Sequence, residues 1–274
     1  MITRFFLKVL FRIKAKYFNI PDTLLDPEFK HRKRFRLLLV KGIDFTKQLL
    51  KGKDVEYHET WGNTKDCDEH IYRTNNVRWC TSFGLVRMVT KYEPKGVEGW
   101  YLNEQGSITK VERDYTSGML RFLDKLKPGY MYSFRMQCAD FIGSWTAVWL
   151  HTQLGDGTYL EFDILEQFYK DISYRDEIQV NAQFGTAKDR KHIPLKIKGF
   201  PFSYKPFDID MLWLEDLIEV YINGVKVYKL KNHKFVHPMT LLMNVGVYDF
   251  GNGCERVVSD KNAVFYHVNK YKII

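Results

Sequence analysis

The segment Gly157-Thr158-Tyr159-Leu160-Glu161-Phe162-Asp163-Ile164-Leu165-Glu166-Gln167-Phe168 sets three carboxylates in a run otherwise fit for a buried strand. A buried carboxylate is costly unless it is paired, hydrogen-bonded or facing a cleft, so three at this density call for a reason. Neighbouring acids can work as a pair at an acetal carbon, one attacking while the other gives and takes a proton. Their separation decides the pathway: about 5–5.5 Å suits covalent double displacement, and roughly 6.5–9.5 Å leaves room for a water. Two plainer readings fit the same residues, a solvent-facing acidic edge strand and a calcium site.

Glu161 and Asp163 share one face of a strand by its period of two, whereas Glu166 falls on the other. For all three acids to converge, the chain needs one extra residue between Asp163 and Glu166. That is a β-bulge, a device that re-aims side chains beside active sites. Close packing then raises the pKa of whichever acid holds the proton, with Asp163 coupling the outer two.

The elements around this segment read as strands. From residue 71 onward, apolar and polar residues alternate over short runs broken by Gly, Pro, Asn and Asp, and helical periodicity is scarce after residue 60. Strands are predicted at 85–90, 130–136 and 263–271. A hairpin is predicted over 217–228, where Asn223-Gly224 supplies the positive φ angles of a type I′ turn. Many short strands without alternating helices predict an all-β double-sheet sandwich or jelly roll.

Composition bounds the partners. Of 274 residues, 45% are hydrophobic and 16% aromatic, enough for a full core and for aromatic sugar-binding surfaces. The net charge of +9 is uneven: residues 1–36 hold ten Lys or Arg against three acids, +7, which leaves +2 for the other 238. The body is therefore not read as a nucleic-acid-binding surface. Residues 1–36 form a basic extension ahead of a domain at 37–274. Phe6, Leu7, Leu10, Phe11 and Ile13 recur near helical spacing there, while Lys8 and Arg12 interrupt the apolar stretch a signal peptide needs. Such a helix could lie on a membrane surface, on a partner protein or on its own domain. Cys67, Cys80, Cys138 and Cys254 lack metal-ligand or framework spacing and read as free thiols, so no metal is assigned. Without a recognisable export signal, synthesis in a reducing compartment is expected, although release by lysis leaves the same trace and localisation stays open.

The string Glu-Phe-Asp-Ile-Leu-Glu resembles the E-x-D-x-x-E signature of glycoside hydrolase family 16, the laminarinase, agarase and carrageenase relatives with a concanavalin-like β-jelly roll. Its flanks agree. Tyr115-Thr116-Ser117-Gly118 is similar to the family's T-S-G strand, and Gly143-Ser144-Trp145-Thr146-Ala147-Val148-Trp149-Leu150 to its G-x-W-P-A-x-W-L segment. Trp213, the Asn223-Gly224 hairpin and Pro238–Asn244 follow in family order, so the likeness covers roughly residues 71–274.

The resemblance implies an endo-acting, retaining hydrolase of β-linked polysaccharide that needs no cofactor. Carried over, Glu161 is the nucleophile, Glu166 the general acid/base, and Asp163 the residue that steadies the nucleophile. Trp145 would offer a flat face to a sugar ring. Trp149, at a more buried-looking position, reads more as core than as cleft and is carried as a second candidate, and Asn76 matches an early strand that gives a polar sugar contact. Gln183 stands where many members carry a histidine, keeping a donor and an acceptor but no charge. Thr146 replaces the family's Pro, and Ile43-Asp44-Phe45 is a poor substitute for its D-E-F motif. Arg175, Lys188, Arg190, Lys191 and Lys196 could meet sulfate groups or could be solvated surface. The competing function is a non-catalytic glycan-binding jelly roll of a larger assembly such as a phage particle, although a pure lectin has no use for three mutually repelling acids.

Overall fold

Runs of β-branched and aromatic residues alternating with polar ones fold as extended strands, their apolar sides turned to a common interior. The computed structural model describes residues 37–43, 53–57, 70–102, 107–186, 188–248 and 262–273. The basic segment 1–36, with its expected helix, lies outside them, as do Asp44, Phe45, Cys67 and Cys254.

In chain order the strands begin with β1 (Leu37–Ile43), β2 (Val55–Tyr57), β3 (His70–Tyr72), β4 (Val77–Cys80), β5 (Leu85–Met88) and β6 (Lys91–Leu102). They continue with β7 (Ile108–Ser117), β8 (Met119–Phe122), β9 (Tyr130–Gln137), β10 (Ser144–Gln153), β11 (Tyr159–Phe168) and β12 (Glu177–Gly185). The last six are β13 (Lys191–Lys198), β14 (Phe207–Trp213), β15 (Leu217–Ile222), β16 (Val225–Lys231), β17 (Thr240–Val247) and β18 (Ala263–Ile273).

One sheet has the order β13-β12-β11-β10-β17-β8-β2. The other runs β16-β15-β14-β9-β18-β5-β4, with β1 also paired to β18. A smaller sheet, β3-β7-β6, carries a long hairpin. Strands distant in sequence become neighbours, as β17 does beside β10 and β18 beside β9, which is the crossed connectivity of a jelly roll. The chain is an all-β sandwich of this kind.

The core lies between the two large sheets. Val148, Phe162, Val180 and Met243 of one meet Phe134, Ile209, Met211, Val220 and Phe265 of the other. Phe162 packs edge-on to Tyr228 and Phe235, with centroids 5.9 and 5.7 Å apart. Full burial of one such side chain contributes about 1.5–3 kcal/mol. At the β15–β16 turn, Asn223 and Gly224 adopt φ of 48° and 86°, the left-handed pair the hairpin requires. Cys80 and Cys138 are free thiols, and burial pushes the Cys138 thiol well above its usual range.

Candidate active site

The register of β11 contains the extra residue. Against β10, Leu165 pairs with Val148 and Asp163 with the next residue, Trp149, so Ile164 has no partner of its own. Against β12, the three steps from Asp163 to Glu166 meet the two from Asn181 to Gln179. Ile164 and Leu165 are both wholly buried in the sandwich core. Two successive side chains therefore turn inward, and Glu166 returns to the face that holds Glu161 and Asp163.

Cross-strand pairing surrounds the acids with particular neighbours. Across β10 they face His151, Trp149 and Ala147, and across β12 they face Gln183, Asn181 and Gln179. Gln183 Nε2 donates to Glu161 Oε1 and, at 2.9 Å, to Asp163 Oδ2. The Tyr159 hydroxyl donates to Glu161 Oε2. Trp145 Nε1 donates to Glu166 Oε1 at 3.2 Å, and Gln179 Nε2 to Glu166 Oε2 at 2.8 Å. Glu161 is half-buried, whereas Asp163 and Glu166 are 2% and 8% exposed.

Burial governs the electrostatics. Loss of water is the largest cause raising the Glu166 carboxyl to about 7, and the charge of Glu161 adds to it. Hydrogen bonds from Gln179 and Trp145 pull the other way. Asp163 is also held well above the ordinary carboxylate range, first by burial and then by the charges of Glu166 and Glu161, against hydrogen bonds from Gln183 and Asn181. Tyr159 keeps its proton, because burial and the Glu161 charge push the phenol far up. Arg190 lies over its ring, 4.5 Å from the centroid. The site thus pairs an accessible carboxylate that accepts two hydrogen bonds with a buried carboxyl that is half protonated near pH 7.

Of the candidates beyond the acids, Trp145 and Gln183 touch them directly. Trp145 stacks on Phe168, with centroids 6.1 Å apart and planes 4° from parallel. It also lies against Gly246, where a Cβ would come within 3.0 Å of Trp145 Cε3 and 2.8 Å of His70 Cε1. A side chain at 246 would therefore press on both the His70 ring and the indole. Trp149 sits on the acid-bearing face and not in the main core: it packs with Tyr72, Met119 and Leu242 and donates to Asn244 Oδ1 at 2.8 Å. Asn76 is spent elsewhere. It is 1% exposed, and its amide donates to Val89 O at 2.9 Å and Thr116 Oγ1 at 3.0 Å, so it offers a sugar no surface.

Gln179, Asn181 and Tyr159 escaped the sequence reading, though a signal existed. Amides recur at every second residue of Gln179-Val180-Asn181-Ala182-Gln183, a polar stripe on the strand after the acids, and Tyr159 has the parity of Glu161. Beyond Glu166 a cavity of about 240 Å³ opens, walled by Phe168, Tyr174, Gln179, Lys196 and Tyr248.

No protein-family model matches the chain, and no curated protein does. Solved structures do. A prokaryotic β-1,3-1,4-glucanase (lichenase) derived from a mouse hindgut metagenome superposes with a TM-score of 0.63 at 19% identity, covering 85% of this chain and 99% of its own. The endo-β-1,3-glucanase of Pyrococcus furiosus gives 0.67 at 14% identity, covering 88% and 96%. Porphyranase B of Zobellia galactanivorans gives 0.68 at 15% identity, covering 88% and 95%. The chain has the jelly-roll fold of these glycoside hydrolases, the fold that the E-x-D-x-x-E resemblance implied.

Proposed function

We propose that this protein is an endo-acting, retaining glycoside hydrolase that cleaves β-linked polysaccharide by double displacement. Glu161 attacks the anomeric carbon while Glu166 delivers its proton to the departing glycosidic oxygen, leaving a glycosyl ester on Glu161 and an anionic Glu166. Glu166 then takes a proton from water, whose oxygen attacks the same carbon, releases Glu161 and restores the original configuration. Asp163, its carboxyl held above the ordinary range by burial and by the charges of Glu166 and Glu161, steadies the charge that moves between its neighbours.

The observation that carries this reading is the bulge at Ile164, which sets Glu166 beside Glu161 and Asp163 instead of in the core. Burial then supplies the proton that an acid catalyst must hold near neutral pH. Trp145 supports the same reading as a sugar platform anchored to Glu166, with Trp149 opposite Asp163 and Gln183 bonded to Glu161 and Asp163 further along the acid row. The catalytic domain is taken as residues 37–274, with β1 closing onto β18 at its start, and 1–36 as an extension.

Reducing-sugar release from a panel of β-glucans, agars and carrageenans tests this. Wild-type turnover abolished by Glu161→Gln and by Glu166→Gln is the expected result. Equal activity in all three proteins contradicts the assigned roles, and binding without turnover favours a glycan-binding module.

A further inference from the structure

One buried polar side chain near the acids has no part in the proposed chemistry. His70, in the three-residue strand β3, is wholly buried. Its Nδ1 stands 3.0 Å from Val247 O and 3.1 Å from Val247 N, so the β17 backbone holds the ring in either tautomer. Its Nε2 meets no hydrogen-bond partner among the described residues. A buried polar atom left unmatched costs stability, so stability alone does not favour an imidazole here over an apolar side chain.

The far edge of the ring reaches the site. Its Cε1 and Nε2 lie 2.8 and 3.2 Å from the point that a Cβ at Gly246 would take, and Trp145 Cε3 lies 3.0 Å from the same point. Gly246 is the direct partner of Trp145 across β10 and β17. Imidazole and indole therefore share one seat above a residue that has no side chain. Phe168, stacked 4° from parallel, bounds the indole as well. Tyr72 meets the imidazole edge-on, with centroids 4.6 Å apart, and packs with Trp149 in the satellite cluster. The same short strand thus backs both tryptophans of the acid-bearing face. Burial, the largest cause, holds the His70 pKa down to about 4 against its bond to Val247, so near neutral pH the ring adds no charge beside the acids.

We infer that His70 is a positioning residue: its backbone-anchored ring fixes the Trp145 indole so that Nε1–H stays on Glu166 Oε1, 3.2 Å away. The inference rests on the hydrolase reading for the role of Glu166, and adds to it a residue that meets no sugar. The bond from Trp145 favours the anion of Glu166, so an indole released from its seat lets that carboxyl titrate at higher pH.

The full chain carrying His70→Asn tests this, because asparagine can keep a bond to Val247 while the ring edge is removed. Carbon-13 NMR of the labelled Glu166 carboxyl, identified by its absence from Glu166→Gln, follows the titration without any substrate. The midpoint is expected about half a pH unit or more above that of the wild type, with kcat/KM about tenfold lower and KM within about threefold. The charged groups around Glu166 stay in place: Glu161 and Asp163 on its own strand, and Lys170, Glu177 and Lys196 around the adjoining cavity. In a Trp145→Phe background, His70→Asn should move the midpoint no further. Gly246→Ala presses on the same seat and is expected to shift the midpoint in the same sense; it carries the test if His70→Asn does not fold. An unmoved midpoint in a folded variant, or an equal shift in the absence of the indole, overturns the inference. A shifted midpoint with no turnover of any glycan removes only the hydrolase reading, whereas turnover with an unmoved midpoint removes only the role of His70.

Discussion

Glu161 and Glu166 are the same residue type on one strand, yet their surroundings divide them. Glu161 is half-buried and accepts from Tyr159 and Gln183; Glu166 is nearly covered, accepts from Trp145 and Gln179, and titrates near 7. At Glu166 desolvation outweighs hydrogen bonding: it receives two donated bonds, and burial still raises its carboxyl. In the proposed mechanism, the depth at which the sheet holds them is what would make one an attacking base and the other a proton donor.

The widest gap between the two should appear in kinetics. Glu161→Gln is expected to lower kcat/KM by about a thousandfold or more at every pH. Glu166→Gln is expected to cost about 10²–10⁴ and to abolish the alkaline limb expected of the wild type near pH 7. A pH–rate profile on one substrate distinguishes them, and a limb that persists in Glu166→Gln would assign the proton to another group.

Stability should separate them in the opposite sense. The folded-state value of Glu166 lies above its ordinary 4.5, so the protonated acid favours folding below that pH and the contribution is lost as pH rises through about 7. At pH 8, Glu166→Gln should therefore be more stable than wild type by about 2–3 kcal/mol, with the difference closing by pH 5. Denaturant unfolding at both pH values checks this.

A smaller effect is expected one contact away. Gln179→Met removes a bond that favours the anion of Glu166, so the alkaline limb should move to higher pH while KM stays within about threefold. Asn76→Ala marks the lower end. It should cost about 1–3 kcal/mol of stability through its lost buried hydrogen bonds and leave KM unchanged.

The fold was legible because its signals are local. Alternation gives strands, Asn223-Gly224 gives one hairpin, and three acids at mixed parity in β11 require a bulge whose position the register then supplies. Partners drawn from other strands were less visible. Gln179 and Asn181 matter because β12 pairs beside β11 in one register, and nothing in either segment alone sets that register. Asn76 misled because a polar residue near the matching strand reads alike whether it faces a sugar or closes a buried turn, and only its hydrogen bonds to Val89 and Thr116 decide. Trp149 looked like core because its neighbours are apolar, but they form a satellite cluster on the other side of the sheet.

The proposed covalent step is tested by mass spectrometry after reaction with a 2-deoxy-2-fluoro glycoside built on whichever glycan is turned over. The mechanism requires one glycosyl group per chain, located by fragmentation on Glu161 and missing from Glu161→Gln. A label on Glu166, or no label together with a product of inverted anomeric configuration, would contradict it.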